Sequence, residues 1–131
     1  MQFNGKTILV LGLGESGLAY LAVSLHAPNQ NLREKIMPRA ARWPLESLME
    51  SLRAYPLKAR ERLTFEYLLL GGVNDSLEQA RELSRLMAHV KGKRNLIVYN
   101  PVEGAPYKAP TEEGLRAFEK HLRSKHITAI V

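Results

Sequence analysis

A glycine-rich turn near the start of the chain is the feature that most constrains its fold. The apolar run Thr7–Leu11 leads directly into Gly12-Leu13-Gly14-Glu15-Ser16-Gly17, and such a run is typical of a strand buried on both faces. In a nucleotide-binding βαβ unit this turn opens a helix and a second strand follows, within about thirty residues in all. Here a segment of different character, Leu21–Pro28, begins a few residues after the turn. The N-terminal part therefore has no room for both a helix and a strand.

The segment from Gly17 to His26 is compatible with two structures. As a strand it would form a tight antiparallel hairpin with the first strand, because a parallel return needs a dozen or more linking residues. As a helix it would place Leu18, Leu21, Ala22 and Leu25 on one face. We favour the helix, because the remaining elements then follow in regular βα order.

Downstream of an irregular basic stretch around Pro38, strands and helices alternate. They are predicted from apolar periodicity, capping residues and Gly or Pro stops. The predicted elements are a helix between Pro44 and Pro56, a strand Leu63–Leu70, a helix from Ser76 to Gly92 with a Ser76/Gln79 capping box, a strand Asn95–Tyr99, a helix from Thr111, and a strand Ile127–Val131. This order predicts a single α/β domain over residues 1–131, a mostly parallel sheet of four to five strands with helices packed on it, Rossmann-like, flavodoxin-like or half-barrel-like.

Composition excludes several classes of function. The 131 residues contain no cysteine, which excludes disulfides, thiolate catalysis and cysteine-held zinc or iron–sulfur centres within this sequence. No apolar run approaches the ~20 residues of a membrane-spanning helix, and the N-terminus lacks a signal-peptide pattern. We therefore expect a cytoplasmic protein without a membrane partner.

The net charge is +6, from 19 basic and 13 acidic side chains, and the excess lies between Leu32 and Arg62. Such a surface can bind RNA or phosphate without sequence preference, although a solvated basic face explains the same pattern. Trp43 and Tyr55 flank the stretch and could stack a base, but we expect both to pack in the core.

The glycine turn is the first candidate site. Gly12, Gly14, Ser16 and Gly17 could offer backbone amides and a hydroxyl to a nucleotide phosphate, but a simple strand-to-helix turn explains the same residues, and Glu15 would oppose an anion. Ser24 and His26 have no third group that would make them a nucleophile and base. His89, His121 and His126 lack metal-ligand spacing, so we predict no metal site. Asn74-Asp75-Ser76 is better explained by helix capping than by catalysis.

Residues 21–131 resemble part of the radical-SAM ribosomal-RNA methyltransferases that methylate carbon 2 of an adenine. The matching motifs are Leu21-Ala22-Val23-Ser24-Leu25-His26-Ala27-Pro28, Leu32-Arg33-Glu34-Lys35-Ile36-Met37-Pro38, Thr64-Phe65-Glu66-Tyr67, Gly72-Val73-Asn74-Asp75-Ser76, and Asn95-Leu96-Ile97-Val98-Tyr99-Asn100-Pro101 followed by Gly104-Ala105-Pro106-Tyr107. The resemblance implies the later strands and helices of an incomplete βα barrel. It also implies that Ser24, Leu25, His26 and Asn100 touch S-adenosylmethionine (SAM).

Residues 1–19 are instead similar to the start of the UDP-N-acetylmuramoyl-alanine:D-glutamate ligases. The shared pattern is Gly5-Lys6, an apolar run, and Gly12-Leu13-Gly14-Glu15-Ser16-Gly17-Leu18-Ala19, which in that family receives the uridine nucleotide. The ligases' ATP-binding and glutamate-binding domains have no counterpart in this sequence. The same is true of the methyltransferases' cluster-binding Cys-x-x-x-Cys-x-x-Cys and their methyl-accepting cysteine.

From these departures we expect an engineered or chimeric domain without native catalytic function, without an iron–sulfur cluster and with no required cofactor. Two alternatives remain open, namely weak binding of SAM, UDP, ATP or an anion at the strand C-termini, and a basic RNA-binding remnant. Strand edges of a barrel fragment tend to pair with another chain, so we also expect a homodimer, formed through edge pairing or through an exchanged N-terminal element.

Overall fold

In the computed structural model, five strands form one sheet in the order in which they occur along the chain. The structure describes residues 2–3, 6–7, 9–13, 19–56, 61–90, 94–99, 103–104 and 106–130. The sheet strands are β3 (Leu9–Leu13), β4 (Ala19–Ser24), β5 (Glu61–Leu68), β6 (Arg94–Tyr99) and β7 (Thr128–Ile130), and a separate two-stranded pair is formed by β1 (Gln2–Phe3) and β2 (Lys6–Thr7). The pairing of β3 with β4 is antiparallel, and the other three pairings in the five-stranded sheet are parallel.

Helices occupy the connections between the parallel strands. They are α1 (Gln30–Ile36), a 3₁₀ turn (Ala40–Arg42), α2 (Leu45–Ala54), α3 (Leu77–Met87) and α4 (Glu112–Ser124). From β4 to β7, each strand lies beside the one before it, and the sheet is extended in the same direction each time. Because the crossovers between parallel strands are right-handed, the connecting helices all lie on one face of the sheet. This is the arrangement of part of a βα barrel, so of the predicted forms of the α/β fold the half-barrel is the one observed.

The core lies between this face of the sheet and the helices. Successive strand side chains point to opposite faces, and Leu63, Phe65 and Tyr67 of β5 are all fully buried toward the helices. Phe118 of α4 packs against Tyr67 with ring centroids 5.5 Å apart. The helices contribute their own buried stripes, Leu45, Leu48, Met49 and Leu52 from α2, Ala80, Leu83 and Met87 from α3, and Leu122 from α4.

The preferred helical interpretation of Gly17–His26 is wrong. Ala19–Ser24 is a strand that pairs with β3 on one side and with β5 on the other. A helix and a strand would each place Leu21 and Leu25 on the same face, so the apolar pattern does not choose between them. The neighbouring strands β3 and β5 do, because a strand between them satisfies its backbone N–H and C=O groups on both sides. The antiparallel hairpin that the sequence left as the alternative is the observed structure.

The glycine turn also differs from expectation. β3 continues through Gly12 to Leu13, and Gly12 pairs with Tyr20 after a shift in register. The turn thus lies between two strands, and the expected helix is replaced by a strand from Ala19 onward; residues 14–18 themselves lie outside the described part of the chain. The apolar run Thr7–Leu11 is itself divided among the described residues, because Lys6–Thr7 pairs with Gln2–Phe3 whereas the strand from Leu9 pairs within the large sheet.

The downstream elements are close to their predicted positions. The Ser76/Gln79 capping box is present at the start of α3, and Thr111 caps α4 through a bond from the Gly114 N–H. The predicted strand Leu63–Leu70 is observed as Glu61–Leu68, and α3 ends at Met87 rather than near Gly92, which lies outside the described residues. The stretch around Pro38 is less irregular than predicted, because it contains α1 and the 3₁₀ turn.

Candidate functional site

The candidate site lies where β4 and β5 end. Ser24 is opposite Glu66 in the parallel register, and its hydroxyl donates to the Glu66 Oε2 atom at 3.3 Å. Beyond the strand, the backbone N–H groups of Leu25 and His26 both donate to the Glu66 carbonyl, at 3.0 and 3.4 Å. Ser24 is exposed, while Leu25 is fully buried among the core side chains. The chain therefore leaves the sheet along a fixed path with one polar side chain accessible.

His26 is held in an uncommon backbone conformation. Its φ of 57° lies in the left-handed region. Residues with a Cβ atom adopt this region only when surrounding contacts compensate its steric cost. The compensation comes from two bonds, since the His26 Nδ1 atom accepts the Leu68 N–H at 2.8 Å and the His26 carbonyl accepts the Asn74 side-chain amide at 2.9 Å. The ring and the backbone of His26 are thus both tied to the end of β5.

The bond at Nδ1 determines the protonation of the ring. Because Nδ1 is an acceptor, the neutral ring carries its hydrogen on Nε2, and protonation of Nδ1 would break the bond to Leu68. Burial lowers the pKa of His26 below 6.5, and the nearby positive charge of Arg33 lowers this pKa further. At neutral pH His26 is therefore a hydrogen-bond donor through Nε2, and not an acid.

Asn74 is the central anchor of the site. This fully buried residue accepts the Leu70 N–H at 2.7 Å and donates to the carbonyls of Leu68 and His26 at 2.7 and 2.9 Å. Its own carbonyl accepts the Tyr67 hydroxyl at 2.8 Å, and burial followed by the charges of Asp75 and Glu82 raises the pKa of that hydroxyl. Asn74 was predicted as part of a helix cap, whereas Ser76 forms the cap and Asn74 joins the ends of two strands.

Arg33 on α1 bonds to the backbone of Ser24 at the end of β4. Arg33 was not identified as a site residue from the sequence. It is 4% exposed, and its Nη2 donates to the Ser24 carbonyl at 3.3 Å while Nη1 donates to the Ala40 carbonyl at 3.4 Å. Its Nε has no hydrogen-bond partner, burial lowers its pKa, and none of the described carboxylates forms an ion pair with it. No local sequence signal marks such a buried cation.

The remaining predicted site residues are separated from this cluster or lie outside the described part of the chain. Gly12 is inside β3, while Gly14, Ser16, Gly17 and Asn100 are outside the described residues. Nucleotide binding by the glycine turn stays a prediction. Among the residues that the structure describes, no three His, Asp or Glu side chains are grouped so as to hold a metal ion. No described helix is long and apolar enough to cross a membrane.

The sequence is highly similar to part of a set of natural RNA methyltransferases. It is 67% identical over 119 residues to the dual-specificity RNA methyltransferase RlmN of Nitratidesulfovibrio vulgaris, which covers 91% of this chain and 32% of that protein. It is 54% identical to the RlmN of Solidesulfovibrio magneticus over 98% of this chain and 39% of that protein. No family model matches the chain. The chain thus spans about a third of the length of the relatives it matches.

Two solved structures are similar to this chain, and one of them is also a methyltransferase. A radical SAM methyltransferase from Sphaerobacter thermophilus superimposes with a TM-score of 0.73 at 44% identity, covering 84% of this chain and 32% of that one. A domain of a pyruvate-formate lyase-activating enzyme from Bacteroides vulgatus has a TM-score of 0.62 at 16% identity, covering 84% of this chain and 65% of that one, and shares the fold alone. The resemblance of residues 21–131 to the RlmN-like radical-SAM methyltransferases is confirmed.

These findings overturn two predictions. The interpretation as an engineered domain without catalytic function is wrong, because natural proteins named as methyltransferases match nearly the whole chain at high identity. The expectation that the chain is not an enzyme is contradicted for the same reason. It relied on the absence of cysteine from 131 residues that correspond to only a third of the relatives' length. The alignment with the Solidesulfovibrio protein extends into the N-terminal segment, and the comparisons give no support to a ligase-derived start.

Proposed function

We propose that this chain forms the SAM-holding part of the barrel of an RlmN-type radical-SAM RNA methyltransferase. The observation that carries the proposal is the end of β4, where Ser24 is exposed and His26 presents an Nε2 donor, in a chain that is 67% identical to a relative over 119 residues. The proposed contacts to SAM are Ser24, His26 and Asn100; Leu25, which the resemblance also implied, is fully buried in the core and offers no exposed surface to a ligand. The cytoplasm, which contains ribosomes, is the proposed location.

The chemistry of the described polar groups fits SAM. The cofactor offers hydroxyl, carboxylate and ring-nitrogen acceptors, to which the His26 Nε2–H can donate, and it also offers amino-group donors, which the Ser24 oxygen can accept while its hydrogen is held by Glu66. The bonds of Glu66, Leu68 and Asn74 fix these groups before any ligand binds, which reduces the ordering cost of binding. The role of these side chains is to bind and orient the cofactor, since the bond at Nδ1 leaves His26 unable to accept a proton without breaking its contact to Leu68.

An iron–sulfur cluster does not fit the residues of this chain. Cluster irons are held by thiolates, and the 131 residues contain no cysteine. We therefore assign no step of the reaction to a cluster on these residues, and propose that any such group is bound by the part of the methyltransferase that this chain does not cover.

Calorimetric titration with SAM tests the cofactor site. We expect saturable heat for the chain, and a loss of about tenfold in affinity in Ser24→Ala, from one lost hydrogen bond to the ligand. Ser124→Ala is the matched control, because this exposed serine ends α4 and, among the described residues, its hydroxyl donates to the carbonyl of His121. Equal SAM affinities in the two variants, or no heat at millimolar SAM, would contradict the proposed site.

A hybrid enzyme tests the assignment to a methyltransferase. The chain is placed in the Nitratidesulfovibrio RlmN in exchange for the third that it matches, and methylation of RNA is followed by mass spectrometry. We expect methylated adenine with the hybrid and much less with its Ser24→Ala form. A folded hybrid that binds SAM but methylates no RNA would contradict the proposed activity while leaving the cofactor site intact.

A further inference from the structure

The segment between α1 and α2 presents an aromatic ring and cations beside the candidate site. We call Arg39, Arg42 and Trp43 the Trp43 platform. Trp43 was expected to pack in the core, and it is instead 37% exposed. The Arg42 guanidinium lies over its ring, 4.7 Å from the ring centre, and Arg39 is exposed. Tyr55, the other aromatic residue of the basic stretch, does pack against the core.

The backbone beneath the platform is fixed by two side chains of α1. Gln30 donates to the Ala41 carbonyl at 2.8 Å and accepts the Leu45 N–H at 2.8 Å, which joins the 3₁₀ turn to the start of α2. Arg33 holds the Ala40 carbonyl and the Ser24 carbonyl on one guanidinium. The platform therefore stands on a rigid base and is separated from the proposed cofactor site by a single buried side chain.

The charge of this surface is not neutralised locally. From Leu32 to Trp43 the sequence contains four cationic side chains and one carboxylate, Glu34. The four ion pairs formed among the described residues all lie within α3 and α4. Lys35, Arg39 and Arg42 thus face solvent without an acidic partner in the described part of the chain, and the one described contact of their charged groups is the stacking of Arg42 on Trp43.

From this geometry we infer that the Trp43 platform binds single-stranded RNA, with a base stacked on the indole and a phosphate held by Arg39 and Arg42. An exposed aromatic ring between cations is how proteins hold unpaired nucleotides, because every base has a face to stack and every linkage carries a charge. A surface for phosphate alone would need the cations but not the exposed ring. The inference deepens the proposed function and rests on it, since it names the surface of this chain that faces the RNA substrate.

The fluorescence of Trp43 tests the inference directly, because Trp43 is the only tryptophan in the sequence. The probe is an oligoadenylate of about ten nucleotides, a length typical of single-strand sites, and the comparison probe is an abasic chain of the same length. We expect saturable quenching by oligoadenylate and none by the abasic chain. Binding of both chains without any change in Trp43 emission would overturn the inference, and so would no binding of oligoadenylate.

Three variants separate stacking from charge, with binding measured by the anisotropy of labelled RNA. Trp43→Ala should weaken oligoadenylate binding about tenfold and leave the abasic chain unaffected, whereas Arg42→Gln should weaken both. Arg116→Gln is the matched control, since this exposed arginine pairs with Glu112 on α4, and it should change neither. An effect of Arg116→Gln equal to that of Arg42→Gln would show general charge attraction and overturn the inference.

SAM titration of the same variants distinguishes this inference from the proposed function. Trp43→Ala should bind SAM as the unmodified chain does, because the described contacts of Trp43 are to Arg42 and Ala40 and none is to Ser24 or His26. Normal SAM binding with unaltered RNA binding in Trp43→Ala would remove the platform and leave the cofactor site. Quenching by RNA in a chain that binds no SAM would remove the cofactor site and leave the platform.

Discussion

At the scale of single residues, the site depends on polar side chains that bond to backbone. The Asn74 side chain forms three hydrogen bonds to backbone, one accepted by its oxygen and two donated by its nitrogen. Arg33 donates from two of its nitrogens to carbonyls of different segments. Buried polar groups stabilise a fold only when they are satisfied, and removing one leaves its partners unsatisfied. Asn74 and Arg33 therefore fix the backbone at the ends of β4 and β5, where side chains take the place of hydrogen bonds from a neighbouring strand.

Replacement of Asn74 by alanine should be strongly destabilising. It leaves the Leu70 N–H and the carbonyls of Leu68 and His26 without their present partners, and each lost bond costs about 1 kcal/mol or more. We expect a loss of roughly 3 kcal/mol in the free energy of unfolding, measured by urea denaturation. Asn31→Ala, at an exposed position on α1, should cost much less. A loss below about 1 kcal/mol in Asn74→Ala would show that the site does not need this anchor.

The pKa of His26 should respond to Arg33. Burial is the larger cause of its lowered pKa and the Arg33 charge the second, so Arg33→Met should raise this pKa without returning it fully to 6.5. Since the folded pKa lies below the unfolded one, the stabilising effect of neutral His26 is complete above about pH 6.5 and is lost as the pH falls below it. An NMR titration of the ring measures the shift, and an unchanged or lower pKa in Arg33→Met would contradict this account.

At the scale of elements, capping determines where the helices begin. α3 begins at a reciprocal capping box, in which the Gln79 N–H donates to the Ser76 hydroxyl at 3.1 Å and the Ser76 N–H donates to the Gln79 side chain at 3.0 Å. α1 is capped by Asn29, which also donates to Glu82 of α3 at 3.1 Å. These polar contacts determine the residues at which α1 and α3 begin.

The capping box predicts a coupled pair of substitutions. Ser76→Ala should cost about 1 kcal/mol in the free energy of unfolding, and Gln79→Ala should cost less. Because the two side chains satisfy each other's backbone, the double variant should lose less than the sum of the single losses. Thermal or urea unfolding of the four proteins completes the cycle, and strictly additive losses would mean that the two caps act independently.

At the scale of the whole molecule, the sheet has two edges, at β3 and β7. β7 pairs with β6 on one side, and no described strand pairs with its other side. An unpaired edge offers free N–H and C=O groups to another chain. The helices cover only one face of the sheet, and the opposite face carries the Ser24 and Glu66 side chains.

We propose that the isolated chain forms a homodimer through the β7 edge. Light scattering at micromolar concentration should give about twice the 14.8 kDa monomer mass. Thr128→Lys, at an exposed position of β7, should shift the mass toward the monomer by placing like charges at the edge. Ala117→Lys on the exposed side of α4 adds the same charge away from the edge and should leave the dimer intact. A monomer mass at all concentrations would contradict the proposal.

The sequence by itself determined the elements whose signals are local. The capping pair Ser76 and Gln79, the Thr111 cap and the apolar periodicity of α2 to α4 each lie within a few residues, so their helices were predicted close to their observed positions. The quoted motifs likewise identified the methyltransferase resemblance, because sequence similarity does not depend on the fold being known.

Tertiary structure alone decided the features that depend on distant partners. Gly17–His26 satisfies both a helical and an extended pattern, and pairing with β3 and β5 decides for the strand. Arg33 and Asn74 stabilise the site through carbonyls and N–H groups that no spacing in the sequence brings together, and Trp43 is exposed because α1 holds its segment at the surface. Backbone bonding and burial are properties of the assembled sheet, which is why only the three-dimensional arrangement revealed them.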